Sequence, residues 1–244
     1  MTFIYRVYQL FIAFPLGILA TIITTLTITL GCTFGDSRFW SYYPGKLWSK
    51  FILRILFLPV EVEGVENIEK GQSYVFCANH QGAFDIFLIY GYLGRNFKWM
   101  LKQSLRNMPF IGMACSAAGF IFVDNKNVGR MKHMYEAARK TLQGGISLAV
   151  FPEGRRTETG KIGKYKRGAF MLADELQLPV VPITINGSYE VMSRQNDWHW
   201  VKYHKLKITI HKPVFPIGQG PENLNYLVEQ TLQATLSALD EKYK

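Results

Sequence analysis

The pattern of hydrophobic positions begins with a long uncharged stretch near the N-terminus. Residues 7–32 carry no charged side chain. As a helix rising ~1.5 Å per residue, this stretch would exceed the ~30 Å hydrocarbon core of a bilayer. Six threonines between Thr21 and Thr33 lower its hydrophobicity, so a helix lying in one leaflet is an alternative to a full span. A secretory signal peptide is a weaker interpretation, because its apolar region usually has only ~7–15 residues.

The segment from Trp40 to Pro59 mixes aromatic rings and cations with apolar runs. Aromatic and long cationic side chains beside apolar ones are typical of the headgroup boundary of a membrane. An amphipathic helix packed on the protein core is the alternative. We predict that residues 1–58 form N-terminal membrane-anchoring helices.

After Pro59, short runs rich in Val, Ile, Phe and Tyr alternate with helical patterns. The runs predict five strands, and three- and four-residue spacing of apolar positions predicts helices over 128–142 and 224–236. Strands that alternate with helices indicate an α/β domain over residues 59–244, with a mixed, mostly parallel sheet flanked by helices. The predicted strands are Ser73–Ala78, Gly119–Val123, Ser147–Phe151, Val180–Ile185 and Leu206–His211.

The net charge of +10 indicates which partners the chain can attract, and the cysteine spacing indicates its redox compartment. Excess Lys and Arg attract phospholipid surfaces, phosphate-bearing substrates or nucleic acid. No helix-turn-helix, ribonucleoprotein motif or zinc finger supports nucleic acid, which we do not expect as a partner. Cys32, Cys77 and Cys115 lie far apart without a C-x-x-C motif, which favours a reducing, cytosol-facing domain.

The first candidate for chemistry is the stretch Asn79–Asp85, which directly follows a predicted buried strand. His80 and Asp85 can meet only if the chain turns between them, and Gln81-Gly82-Ala83 permits such a turn. The carboxylate would then orient the imidazole and leave its second nitrogen free as a general base. A purely structural His–Asp pair is the alternative.

The second candidate is Phe151-Pro152-Glu153-Gly154-Arg155-Arg156-Thr157, which also follows a strand. Gly154 permits close approach of a ligand to the backbone, and the two arginines offer forked donors for phosphate oxygens. Glu153 beside them could orient an arginine or a substrate hydroxyl. A solvated basic loop is the alternative.

Together these motifs resemble the glycerolipid acyltransferase family. H-x-x-x-x-D followed by F-P-E-G-x-R matches its first and third blocks, while Gly119–Asn125 and Val180–Gly187 resemble its second and fourth. The four occur in the family's order, and the resemblance is closest to the bacterial 1-acyl-glycerol-3-phosphate acyltransferases. It implies transfer of a fatty acyl group to the free hydroxyl of 1-acyl-glycerol-3-phosphate, giving phosphatidic acid.

The resemblance also implies roles for single residues. His80 would be the general base and Asp85 its orienting partner, while Glu153, Gly154 and Arg156 match the block that holds glycerol phosphate. Arg155 stands at a common threonine position and adds positive charge.

A departure from the family concerns the second block, which commonly ends in Asp-Arg. Asn125 replaces this arginine, and Lys126 and Arg130 are candidates to compensate, although neither aligns with it. The acceptor could therefore instead be another lysolipid, such as a lyso-aminolipid or a different lysophospholipid.

The implied partners are the phospholipid bilayer, a lysophospholipid acceptor, and acyl-CoA or acyl-carrier protein as donor. Neither a cofactor nor a metal is expected, and the predicted location is the cytoplasmic face of the cell membrane.

Two other classes of protein are alternatives to an acyltransferase. A serine hydrolase would need a nucleophile elbow at Ser147, where the order of helix and strand is reversed. A non-enzymatic protein that binds membranes or nucleic acid is the other alternative, and its activity would be retained after the substitution His80→Ala.

Overall fold

The computed structural model describes residues 3–108, 110–123, 135–136, 138–142, 144–196 and 200–244. Within them the domain is built on a sheet with the strand order β1-β7-β6-β2-β5-β3-β4. All neighbouring strands are parallel except β6 and β7, which are antiparallel. The predicted mixed, mostly parallel sheet is confirmed. The strands are β1 Val60–Glu63, β2 Val75–Ala78, β3 Phe97–Lys102, β4 Ile121–Val123, β5 Ser147–Val150, β6 Val180–Asn186 and β7 Leu206–Ile210.

The sheet has an apolar core on each face. Val75 and Cys77 of β2 belong to one buried cluster, while Phe76 and Ala78 belong to the other. Successive side chains of a strand point to opposite faces, so this central strand is covered by helices on both sides. A continuous apolar run, without alternation, is the pattern that such a strand needs.

Helices cover both faces of the sheet, and several of them position the candidate site. The N-terminal helix is Phe3–Phe34, which contains a π-helical turn at Gln9–Ala13. The return helix is Tyr43–Ile55, the site helix Asp85–Tyr92, the wall helix Ile111–Ala117 and the C-terminal helix Pro221–Ala238. Further helices are Ser37–Trp40, Gly168–Leu176 and Ser188–Met192, with 3₁₀ turns at Val65–Asn67, Gln103–Asn107, Arg194–Asn196 and Glu241–Tyr243.

The five predicted strands are all present, and two further ones, β1 and β3, were not predicted. The predicted C-terminal helix is confirmed and slightly longer than its apolar spacing indicated. Of the helix predicted over 128–142, residues 135–136 and 138–141 are helical and residue 142 is not, while 128–134 and 137 lie outside the described residues. Asn125 and Lys126 also lie outside the described residues. The domain division at residues 58 and 59 stays a prediction.

The N-terminal helix is long and apolar enough to cross a membrane, and 17% of its most hydrophobic window is buried. It is nevertheless tied to the rest of the chain by polar contacts. Gln9 is fully buried and exchanges two hydrogen bonds with the backbone of Val201, 2.8 and 3.0 Å long. Tyr8 donates to the carbonyl of Ile55, and Trp48 Nε1 donates to Thr21 Oγ1 over 3.0 Å. The helix therefore lies along the domain.

Candidate active site

The site is built on the carboxyl end of β2, where the chain turns sharply into the site helix. Asn79 is buried there, and its side-chain amide exchanges two hydrogen bonds with the backbone of Ile185 in β6, 2.9 and 2.7 Å long. This two-point contact fixes the strand end immediately before His80. Open α/β sheets bind their ligands at this end of the strands.

His80 and Asp85 meet as the sequence predicted. Nδ1 of His80 lies 2.7 Å from Oδ2 of Asp85, the first residue of the site helix. The carboxylate is completely buried and also accepts a hydrogen bond from Gly82 N over 2.9 Å. Because an ionised carboxylate only accepts, Nδ1 carries the proton and Nε2 has a free lone pair. Within the described residues, Nε2 has no partner in the chain.

Phe151 orients the imidazole in a way that the sequence did not indicate. Its ring stacks on His80 with the ring centres 3.8 Å apart and the planes within 8°. Phe151 in turn stacks against Trp99, with ring centres 5.4 Å apart. The imidazole therefore has one face against this aromatic pair while its edge is held by Asp85.

Glu153 connects the turn at His80 with the basic loop that follows β5. Its Oε1 accepts from His80 N and its Oε2 accepts from Gly163 N, both over 2.7 Å. Burial raises the pKa of Glu153, and these two amide donors oppose that shift. The structure thus gives Glu153 a positioning role, and the direct substrate contact expected from the sequence stays a prediction.

The loop residues Gly154, Arg155 and Arg156 line the same cavity as His80. Gly154 has φ +75°, and a Cβ there would collide with Lys166 Nζ and lie 3.1 Å from Cε. The positive φ therefore favours glycine here, and a larger residue would also displace the flexible lysine side chain that crosses it. Lys166 also lines the cavity. It is a candidate binding residue within the basic run Lys161, Lys164, Lys166 and Arg167.

The end of the basic loop is supported from far along the chain. Ile162 N donates to the carbonyl of Tyr243 over 3.0 Å, and the Tyr243 ring packs against Gly160. The Tyr243 hydroxyl donates to Glu190, and its ring is 3% exposed. Tyr243 is a positioning residue with no sequence signal, because its partners are distant in the chain.

The cavity that His80 faces is about 1310 Å³ in volume. It extends between the sheet and the N-terminal helices, where Ile28, Tyr90 and Ala114 line it, while Lys102 lines it together with the cations of the basic loop. Ordinary small-molecule pockets hold ~300–1,000 Å³, so this one is large and mostly apolar in its lining residues. It can accommodate a long hydrocarbon chain beside an anionic group.

Two alternatives can be tested on the geometry. Ser147 opens β5, is fully buried, and accepts a hydrogen bond from Tyr74 N, so it does not form a nucleophile elbow. Among the described residues, no group of three or more His, Cys, Asp or Glu side chains is arranged to hold a metal ion.

Comparisons with known proteins agree with this geometry. The model of the family described as Acyltransferase matches residues 59–186. The 1-acyl-sn-glycerol-3-phosphate acyltransferase alpha of Homo sapiens is 31% identical over 205 residues, covering 80% of this chain and 70% of that one. The chloroplastic 1-acyl-sn-glycerol-3-phosphate acyltransferase LPAT1 of Arabidopsis thaliana is 29% identical over 86% of this chain, which spans only 59% of that relative's length.

A solved structure shares the fold over nearly the whole chain. The crystal structure of the 1-acyl-sn-glycerophosphate acyltransferase PlsC from Thermotoga maritima superposes with a TM-score of 0.75 at 26% identity. The match covers 96% of this chain and 95% of that one. The likeness therefore includes the N-terminal helices as well as the sheet.

Proposed function

The chain belongs to the acyltransferase family, and we propose that it transfers a fatty acyl group from a thioester to the free hydroxyl of 1-acyl-glycerol-3-phosphate, giving phosphatidic acid. One observation carries the proposal. His80, paired with a fully buried Asp85, faces a large apolar cavity that is also lined by Arg155, Arg156 and Lys166. This arrangement combines a base, an anion-binding region and room for a hydrocarbon chain.

The proposed reaction is direct attack without an acyl-enzyme. His80 Nε2 takes the proton of the acceptor hydroxyl while the hydroxyl oxygen bonds to the thioester carbonyl carbon. The carbon–sulfur bond then breaks, and the proton passes from His80 to the leaving thiolate. The charge that develops on the imidazole is stabilised by Asp85, 2.7 Å from Nδ1. A positioned general base contributes ~10²–10⁴-fold, and binding both substrates in one cavity supplies further acceleration. The donor is proposed to be acyl-CoA or acyl-carrier protein.

The test of the reaction uses detergent-solubilised protein with labelled palmitoyl-CoA and lysophosphatidic acid, following free thiol and phosphatidic acid together. We expect His80→Ala to lose ~10²-fold or more of the rate. Glu229→Gln, on the exposed side of the C-terminal helix, is the control and should keep full activity. Equal product from wild type and His80→Ala would refute the role of the base.

Lys166 is proposed to bind the acceptor phosphate together with the two arginines. A hydrogen bond to a charged group contributes about 1.5–3 kcal/mol, so Lys166→Met should raise KM for lysophosphatidic acid about tenfold or more. KM for a phosphate-free monoacylglycerol should change little. The matched control is Lys164→Met, because Lys164 is an exposed lysine of the same loop and is not among the residues that line the cavity. Equal changes for both acceptors would contradict a phosphate contact.

Another lysolipid acceptor is the second candidate, supported by Asn125 at the position where the family commonly has arginine. A headgroup without a terminal phosphate would not need that arginine. The KM comparison between lysophosphatidic acid and other lysolipids decides between the two acceptors.

We further propose that the N-terminal helix holds the protein on the cytoplasmic face of the membrane by lying in one leaflet. Support comes from its contacts along the domain, from Tyr8 through Thr21 to Ile28, which a helix crossing the bilayer alone would lack. The net charge of +10 favours the anionic cytoplasmic leaflet. Protease accessibility of a tag at the N-terminus in sealed vesicles tests this: a tag on the opposite side from the domain would refute it.

A further inference from the structure

Residues 103–108 and 110–117 form one side of the cavity, and we call them the wall segment. It comprises the 3₁₀ turn Gln103–Asn107 and the wall helix Ile111–Ala117. Leu105, Met108, Ile111, Ala114 and Cys115 contribute to the cavity lining. Met108 and Ile111 are also exposed to solvent, whereas Phe110 and Met113 are exposed and are not among the lining residues.

Four large apolar side chains of the wall segment are exposed within six residues. The exposed fractions are 42% for Met108, 66% for Phe110, 43% for Ile111 and 55% for Met113. Single exposed apolar residues are ordinary, but a contiguous group on a soluble surface marks an interaction site. Phe110 also has φ +61°, a conformation that bulky residues rarely adopt and that persists where the surroundings or a function require it.

The wall helix, which carries part of this exposed group, packs against the N-terminal helix. Ile28 of that helix packs against Ala114 and Ala118 at the wall helix. Leu26 and Leu30, two positions from Ile28 and therefore on the opposite side of the helix, are 47% and 57% exposed. The exposed group therefore lies beside a helix that has an exposed apolar side of its own.

Cations stand at one end of the exposed group. Lys102 ends β3 and Arg106 lies in the 3₁₀ turn, and both are exposed. Arg106 lies over the ring of Phe122, 5.7 Å from its centre. Apolar side chains bordered by Lys and Arg match a membrane interface, where chains insert among lipid tails and cations meet anionic headgroups.

We propose that the wall segment is a second membrane-binding surface, which inserts Met108, Phe110, Ile111 and Met113 into the bilayer beside the N-terminal helix. The occupant is an anionic phospholipid leaflet. The proposal rests on the proposed function only for the presence of a membrane. It places the cavity wall in direct contact with lipid, so that one short helix separates bilayer chains from the interior of the cavity.

The experiment measures contact with lipid at single labelled positions, independently of activity. In a Cys32→Ser/Cys115→Ser background, Cys77 remains, but its side chain is fully buried. Met108→Cys and Met113→Cys are labelled with an environment-sensitive fluorophore, and the full chain is placed in phosphatidylethanolamine–phosphatidylglycerol nanodiscs. The matched control is Ile217→Cys, whose position is 58% exposed and precedes the C-terminal helix. Ile22→Cys in the N-terminal helix is the reference for lipid contact.

We expect nitroxide-bearing lipid to quench labels at positions 108 and 113 several-fold more than the label at 217, and to a degree similar to position 22. Iodide in the aqueous phase should give the reverse order. If iodide quenched the labels at 108 and 113 as strongly as the label at 217, the proposal would be overturned. So would labels protected from both quenchers, which would indicate cover by protein or a second copy. Either result leaves the proposed acyl transfer untouched, because its assay is separate.

Discussion

Replacing Glu153 by glutamine separates a positioning role from a substrate contact. The carboxylate accepts one backbone amide through each oxygen, from His80 and from Gly163, and the side chain is 7% exposed. Glutamine keeps one acceptor but turns an NH₂ group toward the other amide, so that two donors face each other. The turn that carries the base and the loop that carries the cations would then lose their connection.

The expected magnitude follows from these two bonds. A hydrogen bond to a charged group contributes about 1.5–3 kcal/mol, and a buried donor left without an acceptor costs about 1–3 kcal/mol. We expect Glu153→Gln to reduce the free energy of unfolding by about 2–4 kcal/mol. In a chain of this size each kcal/mol shifts the melting temperature by about 2–4 °C, so unfolding should begin about 4–16 °C lower at a fixed scan rate.

The assay is thermal unfolding in one detergent, followed by kcat and KM for lysophosphatidic acid. The control is Glu158→Gln in the same loop. Glu158 is 53% exposed and pairs with Arg194 over 3.0 Å at the surface, so its loss should cost at most about 1 kcal/mol. A Glu153→Gln variant that melts with wild type but has a raised KM would refute the positioning role and favour a direct contact with the acceptor.

Further substitutions give distinct outcomes. Asp85→Asn should lower kcat by ~10²–10⁴-fold, because an amide can hold His80 with the proton on Nε2; an unchanged kcat would contradict this. Tyr243→Ala should raise KM for the acceptor several-fold with little change in kcat. Tyr243→Phe, which loses only the hydrogen bond to Glu190, should raise it less. Equal kinetics of both variants and wild type would contradict a role of Tyr243 in positioning the basic loop. Burial lowers the pKa of Lys98 from 10.5 to about 8. Between these two pH values the unfolded chain therefore binds more protons than the folded chain. The free energy of unfolding should therefore rise with pH across that window by up to about 3 kcal/mol, and Lys98→Met should remove this rise in chemical denaturation.

The predictable part of the fold consists of elements whose whole pattern is local. The continuous apolar run of β2 and the three- and four-residue spacing of the C-terminal helix are properties of neighbouring residues, and both elements are present. The missed strand β3 contains Lys98, which is 4% exposed and donates to Ser41 Oγ and to the carbonyl of Ala118. A lysine inside a run normally indicates solvent, and its two acceptors come from distant parts of the chain.

The same distinction holds in the site. The meeting of His80 with Asp85 was predictable, because only five positions and one flexible turn separate them. The contact between Glu153 and His80 N spans 73 residues. The stacking of Phe151 on the imidazole likewise joins the ends of two strands that are adjacent only in the sheet. Such contacts follow from the strand order, which hydrophobic patterns do not reveal.

The proposed base and the proposed anion-binding cations are held by different parts of the structure, and Glu153 connects the two through its hydrogen bonds to His80 N and Gly163 N. His80 is fixed by strand ends and by buried partners, which makes the position of the base insensitive to changes in the loop surface. Arg155 and Lys166 belong to an exposed loop that depends on Glu153 and on Tyr243 for its position. We therefore expect substitutions among the loop cations to change the preferred acceptor without disturbing the base. Asn125, at the position where the family commonly has arginine, is expected to act in the same way, by lowering the number of cations offered to the headgroup.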